Sequence, residues 1–273
     1  MSETSKKIVW IVALIILLVL IGVVVVGYVQ KATNKTENPI VTMEVENYGT
    51  VKIELYPDQA PETVANFITL ANRGFYNGLT FHRIVKDFMI QGGDPKGNGT
   101  GSAKISNLRD LKDGEEDREY TIKGEFIANK VNNKVNMEEG TLAMARSDYS
   151  QYSPSLKEAS YNSGCSQFFI VTANNETTNA LNGLYTPFGK VIEGMDVVHN
   201  IEATEVKAPE GSEENSGAEV STPVNPPKIT SIKVDTKGVD YGLPKTLQPF
   251  DYQNWLYKTY GINPNSTQTT IGE

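Results

Sequence analysis

The chain has 273 residues, 39% of them hydrophobic and 21% charged, which is the balance of an ordinary globular protein with room for one sizeable domain. A net charge of -8 excludes the basic face that a general nucleic-acid binder presents. With one cysteine (Cys165) and two histidines (His82 and His199), an intramolecular disulfide, a cysteine-ligated zinc site and an H-E-x-x-H motif are all excluded.

Residues 8–29 (IVWIVALIILLVLIGVVVVGYV) carry no charge. At ~1.5 Å rise per residue such a helix extends about 33 Å, enough for a bilayer core. The run is longer than the ~7–15 residues of a secretory h-region, and neither an A-x-A-like site nor a cysteine follows it. One uncleaved N-terminal transmembrane helix is therefore expected. Lys6 and Lys7 before the run nearly balance Lys31 and Lys35 after it. With only residues 1–7 before the run, the N-terminus is expected in the cytoplasm and the bulk of the chain outside it, as a single-pass protein of the cell membrane.

Residues 30–38 form a polar linker. Residues 41–45 and 51–55 alternate apolar and polar around Glu46-Asn47-Tyr48-Gly49, which predicts a β-hairpin. Pro61 then opens a helix whose Val64, Phe67, Ile68 and Ala71 share one face, and Gly74 ends it. Short strands are expected over 80–85, 88–91, 140–145, 167–171 and 188–191, with a second helix at 194–200. Residues 207–227 are acidic and rich in Pro and Ser, a surface loop, and 229–234 (ITSIKV) is a late strand that returns to pair with an earlier one. From 237 to 273 the tail shows no period and is expected to be only partly ordered. Gly97 to Gly101 lacks the G-K-[ST] of a phosphate loop and reads as a plain loop. The N-x-[ST] sites at Asn34, Asn98, Asn175 and Asn265 are assigned no glycan. Many short strands with few helices indicate a mainly β fold, a barrel or a sandwich.

The stretch 81–94, FHRIVKDFMIQGGD, reads as two strands joined at Lys86-Asp87. Phe81, Arg83 and Val85 are expected on one face of the first, Met89 and Gln91 on one face of the second. An arginine among apolar residues with a glutamine nearby describes an apolar groove carrying a few fixed donors. This string resembles the signature of the cyclophilins. TLAMAR (141–146), CSQFFIV (165–171), Leu181-Asn182-Gly183 and Phe188-Gly189-Lys190-Val191 resemble further family segments in the same order, so that the resemblance covers about residues 40–234.

The resemblance implies a closed eight-stranded antiparallel β-barrel capped by two α-helices, occupying residues 39–236 with insertions at about 148–161 and 207–225. It implies peptidyl-prolyl cis/trans isomerase activity on proline-containing polypeptides, with Arg83 as the catalytic residue. Phe88, Met89, Phe169 and Leu181 would wall the proline pocket, Gln91 and Gln167 would hold the substrate backbone, and Ala145 and Arg146 would run beside the peptide. Tyr185 stands where many members have histidine, so no strong pH dependence is expected from that wall near pH 6.5. Rotation about an amide breaks no bond, so no metal or cofactor is required. Ala180 stands where many members carry the tryptophan that contacts cyclosporin, and weak cyclosporin binding is expected. Arg146 and Cys165 replace commoner Asn and Gly, and Cys165 is read as a buried thiol rather than a nucleophile. The competing readings are a non-catalytic proline-peptide-binding or chaperone module at the membrane, and a structural envelope protein held by its aromatic tail.

Overall fold

A computed structural model describes residues 3–33, 37–209 and 219–261. The sequons at Asn34 and Asn265, the middle of the 207–225 insertion and the end of the tail lie outside the described residues. The chain divides into two compact units, Met1–Glu37 and Asn38–Glu273.

In the first unit a helix, α1, spans Glu3–Thr33 and carries the uncharged run. Among the described residues no helix is long and apolar enough to cross a membrane. The side chains of residues 10–24 in α1 are all exposed.

The second unit is built on one antiparallel sheet. Strands β1 (Ile40–Val45) and β2 (Gly49–Leu55) form the predicted hairpin, turning through Asn47 and Gly49, both at positive φ (65° and 125°). Their alternation is realised in space: Val41, Met43, Val45, Val51, Ile53 and Leu55 all point into the core. Helix α2 (Pro61–Asn72) follows, with proline in its first turn and Gly74 at φ +73° just past its end. Its N-cap, Ala60, offers no side-chain acceptor. The buried Glu125 supplies one from 62 residues away, accepting from the Thr63 backbone N–H (2.8 Å) and hydroxyl (2.7 Å). Burial pushes the Glu125 carboxyl up, and the bonds from Thr63 pull against that rise.

The remaining strands are β3 (Arg83–Val85), β4 (Met89–Gly92), β5 (Thr141–Met144), β6 (Phe168–Val171), β7 (Thr186–Glu193) and β8 (Ile229–Asp235). Helix α3 (Met195–Glu202) lies between β7 and β8 and starts after Gly194. The sheet order is β8-β1-β2-β7-β5-β6-β4-β3. The late strand does return to an earlier one, β8 pairing along the whole of β1.

The sheet curls but does not close, which corrects the expected closed barrel. Between the edge strands β3 and β8 there is no ladder, only a single bridge, Thr80 with Lys228, and backbone bonds from the flanking loops. Phe81 donates to the Pro227 carbonyl (2.9 Å) and Ile84 to that of Ser221 (2.8 Å). The physical reason is in the approach to β8: Pro223, Pro226 and Pro227 have no N–H to give, and β3 is only three residues long. The interior is filled by α2 and both halves of the sheet. Phe67, Tyr76, Phe81, Phe168 and Phe188 form its aromatic centre, each fully buried.

The tail is more ordered than its lack of period implied. Thr246–Leu247 pairs with Thr121–Ile122, and Tyr252–Tyr260 is helical, capped by Asp251. The tail meets the 148–161 insertion ring to ring, Tyr149 with Phe250 at 4.8 Å and Tyr152 with Tyr252 at 4.7 Å. Those contacts span about a hundred residues, so no local periodicity could announce them.

Candidate active site

Strand register explains how the site arises. Arg83 lies opposite Gln91, Gln91 opposite Phe169, and Phe169 opposite Ala143. Directly opposed residues project to the same side of a sheet. The next row inward, Ile84, Ile90, Ile170 and Leu142, is also in register and fills the interior. One period-2 alternation thus seals the core with aliphatic residues and sets an arginine, a glutamine and a phenylalanine in line on the outer face.

Around that row is a cavity of about 320 Å³ lined by Arg83, Phe88, Met89, Gln91, Ala145, Arg146, Phe169, Leu181 and Tyr185. Its apolar floor is a separate cluster, Met89, Met137, Ala143, Phe169 and Val171, against which Phe88, Leu181 and Tyr185 pack. The Phe169 and Tyr185 rings meet edge to face, 5.6 Å apart at 88°. Every predicted site residue but one lines this space. The exception, Gln167, is turned to an adjoining cavity of about 340 Å³, which shares Gln91, Ala145 and Arg146 with the first. Gln167 accepts from Gln91 Nε2 (2.9 Å) and donates to the Gly99 and Gly101 carbonyls (3.1 and 2.9 Å). It braces the pocket's glutamine against the glycine loop.

That loop is itself held by Asp94. The carboxylate accepts from the backbone N–H groups of Lys96, Asn98 and Gly99. Burial acts to raise the Asp94 carboxyl, but these backbone donors outweigh it and the group sits below its ordinary value. Any side chain at Gly101 would collide with this carboxylate, which is why glycine stands there.

Phe81 departs from its expected face. The first strand begins only at Arg83, so alternation does not extend back through His82, and Phe81 packs in the main core while Val85 joins the pocket cluster. Arg146 is not a free charge. Its guanidinium lies over Tyr185 (4.6 Å) and Tyr161 (5.4 Å), and its Nε donates to the Leu184 carbonyl (3.0 Å). Tyr161, from the 148–161 insertion, therefore supports a pocket wall, a link no motif announced. Cys165 is buried and burial pushes its thiol up, as suits an inert residue.

Arg83 is held on two sides. Nη1 reaches Gln91 Oε1 (3.3 Å) and Met89 Sδ (3.6 Å) at the cavity, while Nε and Nη2 donate to the carboxylate of Glu219 (2.7 and 2.9 Å). Glu219 was not foreseen: it sits 136 residues away in a stretch whose composition reads only as an acidic loop. The assembled site offers a fixed, permanently charged donor at the rim of an apolar slot, with no nucleophile aimed into it.

Comparison with known proteins agrees with this geometry. The family model for cyclophilin type peptidyl-prolyl cis-trans isomerase matches residues 40–234. The chain is 40% identical to peptidyl-prolyl cis-trans isomerase B of Bacillus subtilis over 157 residues, 58% of this chain and 86% of that protein. It is 36% identical to the mouse (Mus musculus) peptidyl-prolyl cis-trans isomerase-like 1 over 160 residues, 59% of this chain and 78% of the other. Among solved structures, a Cryptosporidium parvum cyclophilin type peptidyl-prolyl cis-trans isomerase, crystallised in the presence of the dipeptide Ala-Pro, superposes with a TM-score of 0.52 at 27% identity. That match covers 72% of this chain and 98% of the other.

Proposed function

Because this chain belongs to the cyclophilin family and is a peptidyl-prolyl cis-trans isomerase, we propose that Arg83 is its catalytic group and that the cavity beside it receives the prolyl ring. The observation that carries this assignment is the position of Nη1 at the mouth of a slot walled by Phe88, Met89, Phe169 and Leu181.

The chemistry follows from the bond. Amide rotation costs about 18–20 kcal/mol because the C–N bond has partial double-bond character. For X-Pro the two isomers differ little in energy, yet exchange takes tens of seconds or more. In the twisted state the prolyl nitrogen recovers its lone pair and accepts a hydrogen bond; in the planar state it does not. A guanidinium N–H directed at that nitrogen binds the twisted state better than the planar one, which is the condition for raising kcat. The apolar walls hold the ring while the chain on the other side of the bond rotates. Gln91, tied to Arg83 and braced by Gln167, fixes the direction of the donor.

The isomerase works outside the cytoplasm, held at the cell membrane by its N-terminal helix. What supports this is the uncharged sequence of residues 8–29, carried by α1. Protease added to intact cells is expected to digest the isomerase domain; full protection until the cells are lysed would refute that placement. Cyclosporin binds weakly, supported by Ala180 in place of an indole and by its absence from the cavity wall. Inhibition of isomerase activity at nanomolar cyclosporin would overturn this.

A further inference from the structure

We propose that Glu219 is a positioning residue for the isomerase reaction, clamping the guanidinium of Arg83 so that its Nη1 edge faces the prolyl slot. The inference deepens the role given to Arg83 and rests on it.

Three observations support it. The first is the form of the pair. Glu219 Oε1 accepts from Nε at 2.7 Å and Oε2 from Nη2 at 2.9 Å. Two parallel bonds to one edge of the planar fork fix rotation about the Cδ–Nε bond, which a single contact does not. Arg83 is long and about one-third exposed, and without the carboxylate only Gln91 and Met89, both bound through Nη1, would orient its head.

The second is the side on which Glu219 stands. It is not among the residues lining the slot, so it occupies none of the space a prolyl ring would need. It consumes two of the five guanidinium donors; Gln91 takes a third and the weak thioether acceptor Met89 a fourth, so the Nη1–H at Met89 is the one a substrate displaces.

The third is how Glu219 is itself placed. Two residues on, the Ser221 carbonyl accepts from the N–H of Ile84, the neighbour of Arg83, at 2.8 Å. Next, Thr222–Pro223 pairs with Val206–Lys207. The backbone is thus docked against β3 one residue from the arginine, and Ser221 is buried. The Arg83 guanidinium holds the Glu219 carboxyl below its ordinary value, with Ser221 lowering it further, so the clamp is ionised at neutral pH.

The opposing effect is partial neutralisation of the arginine's charge. Both side chains remain open to water, 33% and 49% exposed, so solvent screens that loss. The direction of the donor, in contrast, matters steeply, because a reacting group displaced by about 1 Å forfeits much of its effect. Orientation therefore outweighs charge compensation, and the carboxylate assists the reaction rather than inhibiting it.

The test compares the full chain with Glu219→Ala and Glu219→Gln, using cis/trans exchange of an Ala-Pro peptide followed by NMR. Glu219→Ala is expected to lower kcat by about three- to tenfold with KM changed less than about twofold. Glu219→Gln keeps one acceptor for Nε and is expected to fall between alanine and wild type. The Arg83 Nε–H resonance should exchange slowly with water in the wild type and quickly in Glu219→Ala, a change that a general loss of stability would not confine to this one signal. Wild-type kcat in Glu219→Ala overturns the proposal, and a raised kcat shows that the carboxylate competes with substrate for the guanidinium. Activity of the wild type on the same peptide reports the isomerase reading separately: if it is active and Arg83→Ala is not impaired, the role of Arg83 fails first and the clamp with it.

Discussion

Phe168→Ala lowers the free energy of unfolding by about 3–5 kcal/mol. The ring is fully buried at the centre of the fold, edge-on to Phe67 (5.7 Å), Tyr76 (5.6 Å) and Phe81 (6.2 Å). These neighbours come from α2, from the turn after it and from the approach to β3, so they cannot collapse together into the space left behind. The loss therefore contains a cavity contribution as well as the transfer of the ring to water. Against a total of about 5–15 kcal/mol for a domain, the variant should fold but unfold at a much lower denaturant concentration. A change below about 1 kcal/mol in urea titration would show that the centre repacks and that the aromatic cluster is not what holds the two halves of the sheet together. Phe169, its neighbour in sequence, points the other way into the site. The same truncation there should act on substrate turnover more than on stability.

That contrast also shows what was readable in the sequence. The hairpin over 40–55, α2 and the return of β8 followed from alternation and turn residues because each depends on neighbours a few positions apart or on one obvious apolar period. The outer row Arg83, Gln91 and Phe169 was placed through the family resemblance of FHRIVKDFMIQGGD and CSQFFIV, and strand register then explains why those side chains meet. Sheet closure was beyond reach, since it turns on whether β3 and β8 find donors for each other, and the prolines before β8 withhold them. Glu219, Tyr161 and the docked tail escaped for a common reason. Each acts through a contact across fifteen to more than a hundred residues, made by a residue type that is unremarkable in its local setting. Gln167 shows a finer limit: its place on the strand was foreseen, but which of two adjoining cavities its amide faces depends on the Gly99 and Gly101 carbonyls that capture it.

Arg83→Ala tests the arrangement from the side of chemistry. The side chain is one-third exposed and packs on the outer face, outside the main core, so its removal should leave the fold intact. It deletes the donor at the slot while the walls, Phe88, Met89, Phe169 and Leu181, remain. Peptide binding should survive better than turnover, because an apolar slot grips both isomers alike and only the directed N–H distinguishes the twisted state from them. Arg83→Lys should recover little, since an ammonium on a flexible stem keeps the charge but loses the planar fork that Gln91 and Glu219 align. The deciding measurement is kcat/KM for isomerisation of an Ala-Pro peptide by the alanine variant, taken beside a circular dichroism spectrum matching the wild type. The account predicts a fall of at least about tenfold, equal to ~1.4 kcal/mol of transition-state stabilisation, and an undiminished kcat/KM in a folded variant would contradict it.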